Sequence, residues 1–252
     1  MRRGIVVSIL LVVLLAATAV ADEVTCNWQS IVLESFDDPE GSPWVVRGGK
    51  FLAVEDDTNQ GQYRYPFEYQ FVEGVTPEAM DQPEAENPSV LGAQASFTRR
   101  GYNYLEFIPV TGETDDEGNP IPREILIPGR PLAIDLWAWG SNHAYYLEIQ
   151  VRDFRGVIHN LKVGDMNYAG WKNLAVDIPN YIPRAVRTVP ARRQMHLVKV
   201  VLWTRPEESV AGFHFYLDQI KVLSDMFETP FDGEGLADPE FVQEVWGTEQ
   251  RQ

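Results

Sequence analysis

The sequence predicts an all-β protein: an antiparallel β-sandwich of jelly-roll type, followed by a short C-terminal helix. Three observations carry this. Apolar and polar residues alternate at period two through most of the chain. Nineteen glycines and 17 prolines punctuate those runs, as short strands joined by turns require. Aromatic residues, favoured on pleated surfaces, make up 12% of the 252 residues, and 44% are hydrophobic. That is enough apolar material for a sizeable core rather than a disordered chain.

The first segment is an address. Arg2 and Arg3 precede an apolar run from Ile5 to Leu15, and Ala19-Val20-Ala21 stands directly before Asp22-Glu23. A positive start, a short apolar stretch and an A-x-A site describe a cleaved secretory signal peptide over residues 1–21. The run is short for a membrane span, so no membrane insertion is expected after cleavage. The sandwich is then expected over residues 22–224 and an acidic tail with the short helix over 225–252.

Along the expected mature chain, 29–36 reads as a first strand, ended by the turn-rich Asp37-Asp38-Pro39-Glu40-Gly41-Ser42-Pro43. Residues 44–54 hold two short apolar pieces around Gly48-Gly49, a hairpin signal. Tyr63, Tyr65, Phe67, Tyr69 and Phe71 then occupy every second position. A strand would set all five on one face, and Pro66, which cannot donate to a ladder, puts that strand at a sheet edge or leaves it only partly paired. Residues 73–90 and 111–123 are acidic and read as loops, with strands at 91–98 and 102–108 between them. From 132 to 178 four alternating runs suggest an antiparallel meander with one wet face. Two strands follow, at 196–204 and 213–223. In the second the apolar parity switches between Leu217 and Ile220, which predicts a bulge near Asp218-Gln219. The total is about eleven strands. In the tail, Asp238 is placed to cap a helix that begins with Pro239. Phe241, Val242, Val245 and Trp246 follow at helical spacing.

Charge excludes some functions. With 21 Lys+Arg against 37 Asp+Glu the net charge is −16. That is the wrong sign for neutralising phosphates or docking on anionic lipid, so no nucleic-acid partner is expected. The single cysteine, Cys26, excludes an intrachain disulfide and a multi-cysteine metal site. It is an unpaired thiol in a loose arm, a lipid-modified residue or an intermolecular bridge. The residues before it do not fit lipid modification.

No catalytic motif stands out. His143, His159, His196 and His214 form no ligand pattern, and no nucleophile elbow, phosphate loop or dinucleotide fingerprint occurs. The chain reads as a non-enzyme, with no catalytic residues and no cofactor. A glycan-cleaving carboxylate pair is a third class that nothing in the spacing marks. One metal expectation stands beside this. Asp37 and Asp38 close the first strand and Asp218 lies in the last, and in a sandwich those strands lie close. Their hard oxygen atoms are the candidate ligands for a structural calcium ion; a turn and a bulge explain the same residues without one. The aromatic run 63–71 has three readings: a core strand, a protein contact surface or a sugar-stacking surface.

The runs IDLWAWGSNHAYYLEIQVRDFRGVIHNLKVGDMNYAGWKNLAVDIPNYIP (134–183), LVKVVLWTRP (197–206) and FHFYLDQIKVLSDMFETPFDGEGLADPEFVQEVW (213–246) resemble the outer-layer (sheath) proteins of spirochaete periplasmic flagella, the FlaA family. VLESFDDP (32–39) and SFTRRGYNYLEFIP (96–109) are similar too. The resemblance implies a structural subunit in the periplasm, on the flagellum. Its partners would be the core flagellins and other sheath subunits, and its role a contribution to filament shape, stiffness and motility. The candidate contact elements are Tyr63, Tyr65, Phe67, Tyr69 and Phe71, and the helix residues Phe241, Val245 and Trp246. Residues 213–222 and the early Phe36-Asp37-Asp38 also resemble galactose-binding, carbohydrate-module-like sandwiches. The alternative expectation is therefore a secreted carbohydrate-binding module with a structural calcium.

Overall fold

The alternation seen in the sequence becomes thirteen strands in the computed structural model, which describes residues 26–53, 65–80, 88–188, 193–227 and 232–247. They are β1 (Trp28–Glu34), β2 (Trp44–Gly48), β3 (Glu68–Glu73), β4 (Ser89–Ala95), β5 (Tyr104–Thr114), β6 (Pro120–Pro122), β7 (Ile125–Ile127), β8 (Arg130–Ser141), β9 (Tyr146–Arg152), β10 (Ile158–Asp165), β11 (Ala169–Asp177), β12 (Met195–Trp203) and β13 (Phe213–Asp225). A 3-10 turn (Glu234–Ala237) and the helix α1 (Pro239–Gly247) follow. The signal-peptide reading of residues 1–21 and the aromatic candidate Tyr63 lie outside the described residues.

The strands form two antiparallel sheets. Sheet I has the order β11-β8-β13-β4-β3, with β1 also paired to β13. Sheet II has the order β10-β9-β12-β5-β2, with β6 on β5 and β7 on β12. The core lies between them because each strand sends alternate residues inward. In β8, Ile134, Leu136 and Ala138 are fully buried, as are Leu147, Ile149 and Val151 in β9. Phe107 of β5 meets Phe215 of β13 across the gap, ring centroids 5.2 Å apart. The predicted antiparallel sandwich is thus the fold, and the predicted bulge is there too: the β8–β13 register shifts between Asp218 and Lys221. Pro66 pointed to an edge strand or a partly paired one, and among the described residues β3 pairs with β4 alone, at the end of the sheet.

Several local expectations are corrected. The 132–178 region is not a meander. β8 and β11 pair in sheet I, while β9 and β10 pair in sheet II. Alternation specifies which residues face inward and says nothing of which sheet a strand joins. Among the described residues of this stretch, 44–53, there is no hairpin: β2 pairs with β5, and Leu52 bridges to Phe97 beyond a turn closed by Leu52 N–H donating to Gly49 O. The acidic stretch 111–123 is largely strand. β5 runs on to Thr114 and returns as β6, through a turn in which Asp115 accepts from the Asn119 and Glu117 amides. The ribbon projects into solvent, so its residues carry no apolar period. The aromatic strand begins only at Glu68. Phe67 N–H donates to Ala53 O instead of entering the ladder.

Candidate functional site

Four regions carry the residues singled out in the sequence. The first is a seam in sheet I. Along one flank of β13, β4 covers Phe213–Leu217 and β1 covers Ile220–Asp225, end to end. The gap between them falls at Asp218 and Gln219, where the strand bulges and Gln219 takes a φ of 33°. Asp218 is 1% exposed. Its Oδ1 accepts from the Gln219 amide at 2.7 Å, and its Oδ2 has no hydrogen-bond partner. Burial, with a smaller push from the Asp37 charge, raises the Asp218 carboxyl to about 7 against the pull of the Gln219 amide. Asp37 reaches the seam because Phe36 turns the chain with a φ of 64°. Asp37 Oδ1 accepts from the Ser89 amide at 3.0 Å, and Ser89 Oγ donates to Phe36 O at 2.6 Å. The structure thus brings Asp37 and Asp218 together. Asp38 is engaged elsewhere, since its Oδ1 accepts from the Gly41 amide at 2.9 Å, inside its own turn.

The second region is the aromatic run, which the structure divides. Phe67 and Phe71 pack against the core, and Tyr69 is 36% exposed beside Phe67, with 6.0 Å between the rings. Tyr65, before the strand, turns to the other side and sets its ring 4.6 Å from that of His214. A proline without an N–H and a bond to Ala53 take residues 65–67 out of the ladder, so the period-two rule lapses there.

The third region is the outer face of sheet I. Register places Gln70, Gly92, Tyr216, Trp139 and Trp171 in one row across five strands. Tyr216 meets Trp139 edge-on at 5.5 Å and Trp171 at 6.5 Å. Its ring occupies the space above Gly92, where a Cβ would lie 2.6 Å from it. Beside this row a groove of about 230 Å³ is lined by Glu68, Gln70, Gln94, His214 and Tyr216. The segment after β3 covers part of the face: Pro77 and Met80 are buried, and Trp171 Nε1 donates to Val75 O at 3.0 Å. Sheet II carries a second row, Tyr104, Trp203 and Tyr146, with Lys162 and Arg205 over the Tyr146 ring. Sequence reasoning missed both rows, which only cross-strand register assembles.

The fourth region is α1. Asp238 Oδ1 accepts from the Glu240 amide at 2.9 Å, an N-cap ahead of Pro239. None of the helix residues is buried. Phe241, Val245 and Trp246 are 44, 45 and 74% exposed and share one face at i, i+4 and i+5.

His143 and His159 serve local structure. His143 bonds Ser141 Oγ through Nδ1 at 2.9 Å and stacks on Tyr145. His159 Nε2 pairs with Asp153 Oδ2 at 2.9 Å, and Asp153 also accepts from the Arg155 and Val157 amides of its turn. Among the described residues no helix is long and apolar enough to cross a membrane.

The family described as flagellar filament outer layer protein FlaA matches residues 68–232. A flagellar filament outer layer-like protein of Brachyspira hyodysenteriae is 25% identical over 155 residues, which is 62% of this chain. The match spans 66% of that relative, just short of two thirds. Among solved structures, TmCBM61 in complex with β-1,4-galactotriose is similar at a TM-score of 0.38 and 15% identity, over 75% of this chain and 92% of that one. The family 11 carbohydrate-binding module of a Clostridium thermocellum cellulosomal cellulase is similar at 0.34 and 11%, over 79% and 97%. Likenesses at this level carry nothing about ligand.

Proposed function

The chain belongs to the flagellar filament outer layer family, and from that membership we propose that it is a structural subunit of the sheath of periplasmic flagella. In this reading it leaves the cytoplasm on the signal peptide 1–21, coats the flagellin core and packs beside other sheath subunits, contributing to filament shape and motility. It works by surfaces and needs no catalytic group.

One observation supports the reading most directly. α1 presents Phe241, Val245 and Trp246 on one face, and no residue of the helix is buried. A short isolated helix is marginal in water, and an amphipathic one is stabilised by docking its apolar face. A filament lattice supplies such a dock. Tyr69, exposed on the edge strand β3, is the second contact element.

The test is fractionation of periplasmic filaments from the source cell, followed by mass spectrometry. Co-purification with the flagellins, with the chain beginning at Asp22, is the expected result. Recovery only as a free protein overturns it. Phe241→Asp with Trp246→Asp is expected to abolish co-sedimentation with filaments while leaving the thermal midpoint of the sandwich unchanged. Without Arg2 and Arg3 of the cleaved segment, the 19 remaining Lys+Arg face 37 Asp+Glu, a charge of −18, which makes attachment depend on ionic strength.

A second reading, a carbohydrate-binding module, is favoured by the groove on sheet I. There a tyrosine ring and a histidine stand beside the carboxylate of Glu68 and the amides of Gln70 and Gln94. Aromatic faces beside paired polar groups suit a sugar ring. Retention on glycan columns that Tyr216→Ala abolishes, without co-sedimentation, would favour this reading over the first.

A further inference from the structure

We propose that a calcium ion binds at the seam of sheet I, held by the carboxylates of Asp37 and Asp218. The seam is where β13 exchanges one neighbour for another. β4 ends its pairing at Leu217 and β1 begins at Ile220, so the bulged residues between them lie where the ladder on that flank is interrupted. Two carboxylates converge there. Asp37 is fixed by the Ser89 amide at 3.0 Å, and its charge acts on Asp218. Asp218 is 1% exposed, and its Oδ2 lacks any hydrogen-bond partner.

A buried carboxylate oxygen without a donor is costly, and a second carboxylate beside it adds repulsion. A cation between the two removes both penalties. The donors are hard oxygen atoms with no nitrogen or sulfur among them, which selects calcium or magnesium over a transition metal. The irregular geometry of a bulge facing a strand end selects calcium, which accepts variable oxygen sets, over magnesium, which demands an octahedron. Among the described residues no third acidic, histidine or cysteine side chain joins the pair. The remaining positions fall to backbone carbonyls and water. Two carboxylates place the dissociation constant in the range of extracellular modules, on the order of 10⁻⁴–10⁻³ M.

The experiment uses the full mature chain, stripped with a chelator, and follows thermal unfolding at pH 7.5 with added CaCl₂, MgCl₂ or NaCl at equal ionic strength. Calcium is expected to raise Tm progressively and magnesium much less. At 100 times the dissociation constant the ratio of folded to unfolded chain rises about 100-fold. Asp218→Asn is expected to raise Tm in the absence of calcium, because the buried charge is gone, and to abolish the calcium response. Asp37→Asn, at a more accessible position, is expected to weaken the response at least tenfold while folding normally. An equal Tm in all three salts overturns the proposal. So does a calcium response that survives in both variants, which would put the ion elsewhere. Filament association is not read in this assay, so its outcome is independent of the sheath reading.

Discussion

Trp171 donates its indole N–H to the Val75 carbonyl at 3.0 Å, and this bond joins the two opposite edges of sheet I. Trp171 belongs to β11, and Val75 lies two residues beyond β3. Strands about 4.8 Å apart would set the edges of a flat five-strand row about 19 Å apart. The bond spans that gap through a chain that returns across the face after Gly74 and an indole that leans inward to 6.5 Å from the Tyr216 ring.

Trp171→Phe removes the donor and keeps most of the ring. The expected cost is about 0.5–1.5 kcal/mol. Hydrogen exchange should show lost protection confined to residues 74–80, with β8 and β13 unchanged. Loss of protection throughout sheet I would mean that the bond holds the sheet rather than the crossing segment.

Glu34 is 6% exposed and collects the ends of three segments. Its Oε1 accepts from the Phe36 amide at 3.0 Å and its Oε2 from Trp44 Nε1 at 2.8 Å. Ser42 Oγ also donates to Oε2, and the Arg123 guanidinium stands 3.6 Å away. Glu34→Ala leaves these donors without their carboxylate. It should lower stability in urea by about 2–3 kcal/mol, given the worth of hydrogen bonds to a charged group, and Glu34→Gln should cost less.

Gly92 lies under the Tyr216 ring, and a Cβ there would stand 2.6 Å from it. Gly92→Ala should destabilise by about 1–3 kcal/mol through overpacking. In the double variant with Tyr216→Ala most of that cost should vanish, which a double-mutant cycle would read as coupling. Additive costs would show that the backbone at Gly92, not the ring, sets the requirement.

Acid should weaken the end of the sandwich near His143. Burial lowers the His143 pKa below its ordinary 6.5, against opposing effects of Glu208 and Ser141. The Ala144 and Ser209 amides hold the Glu208 carboxyl below its ordinary 4.5. The folded chain thus binds fewer protons than the unfolded one just below each ordinary value, so stability rises with pH there. It is full above about pH 6.5 and falls on acidification, first through His143 and then through Glu208. Urea midpoints measured against pH should show both slopes. His143→Gln should flatten the first and Glu208→Gln the second.

What could be foreseen from sequence followed local rules. A parity switch between Leu217 and Ile220 revealed the bulge, Pro66 an edge or a partly paired strand, and the Asp238-Pro239 pair a helix start. What escaped depended on partners far along the chain. β8 and β9 have similar alternation, yet they join different sheets, because the turn between them crosses from one layer to the other. Trp139, Tyr216 and Gly92 form a row only after β8, β13 and β4 are aligned. The Asp37–Asp218 approach was foreseen from the general nearness of first and last strands. The orphan oxygen that gives it meaning depends on where β4 stops and β1 starts.

The Asn27 amide donates to Asp225 Oδ1 across 198 positions, because the last strand is also the central one. β13 borders β8 on one flank and β4 and β1 on the other. Sheet I therefore cannot assemble while the chain is still emerging from its N-terminus. Such non-local closure is slow, and it makes folding wait for the whole length. A chain cut before Phe213 leaves β1, β4 and β8 with bare edges. The result is prey for proteases and aggregation, not a smaller domain.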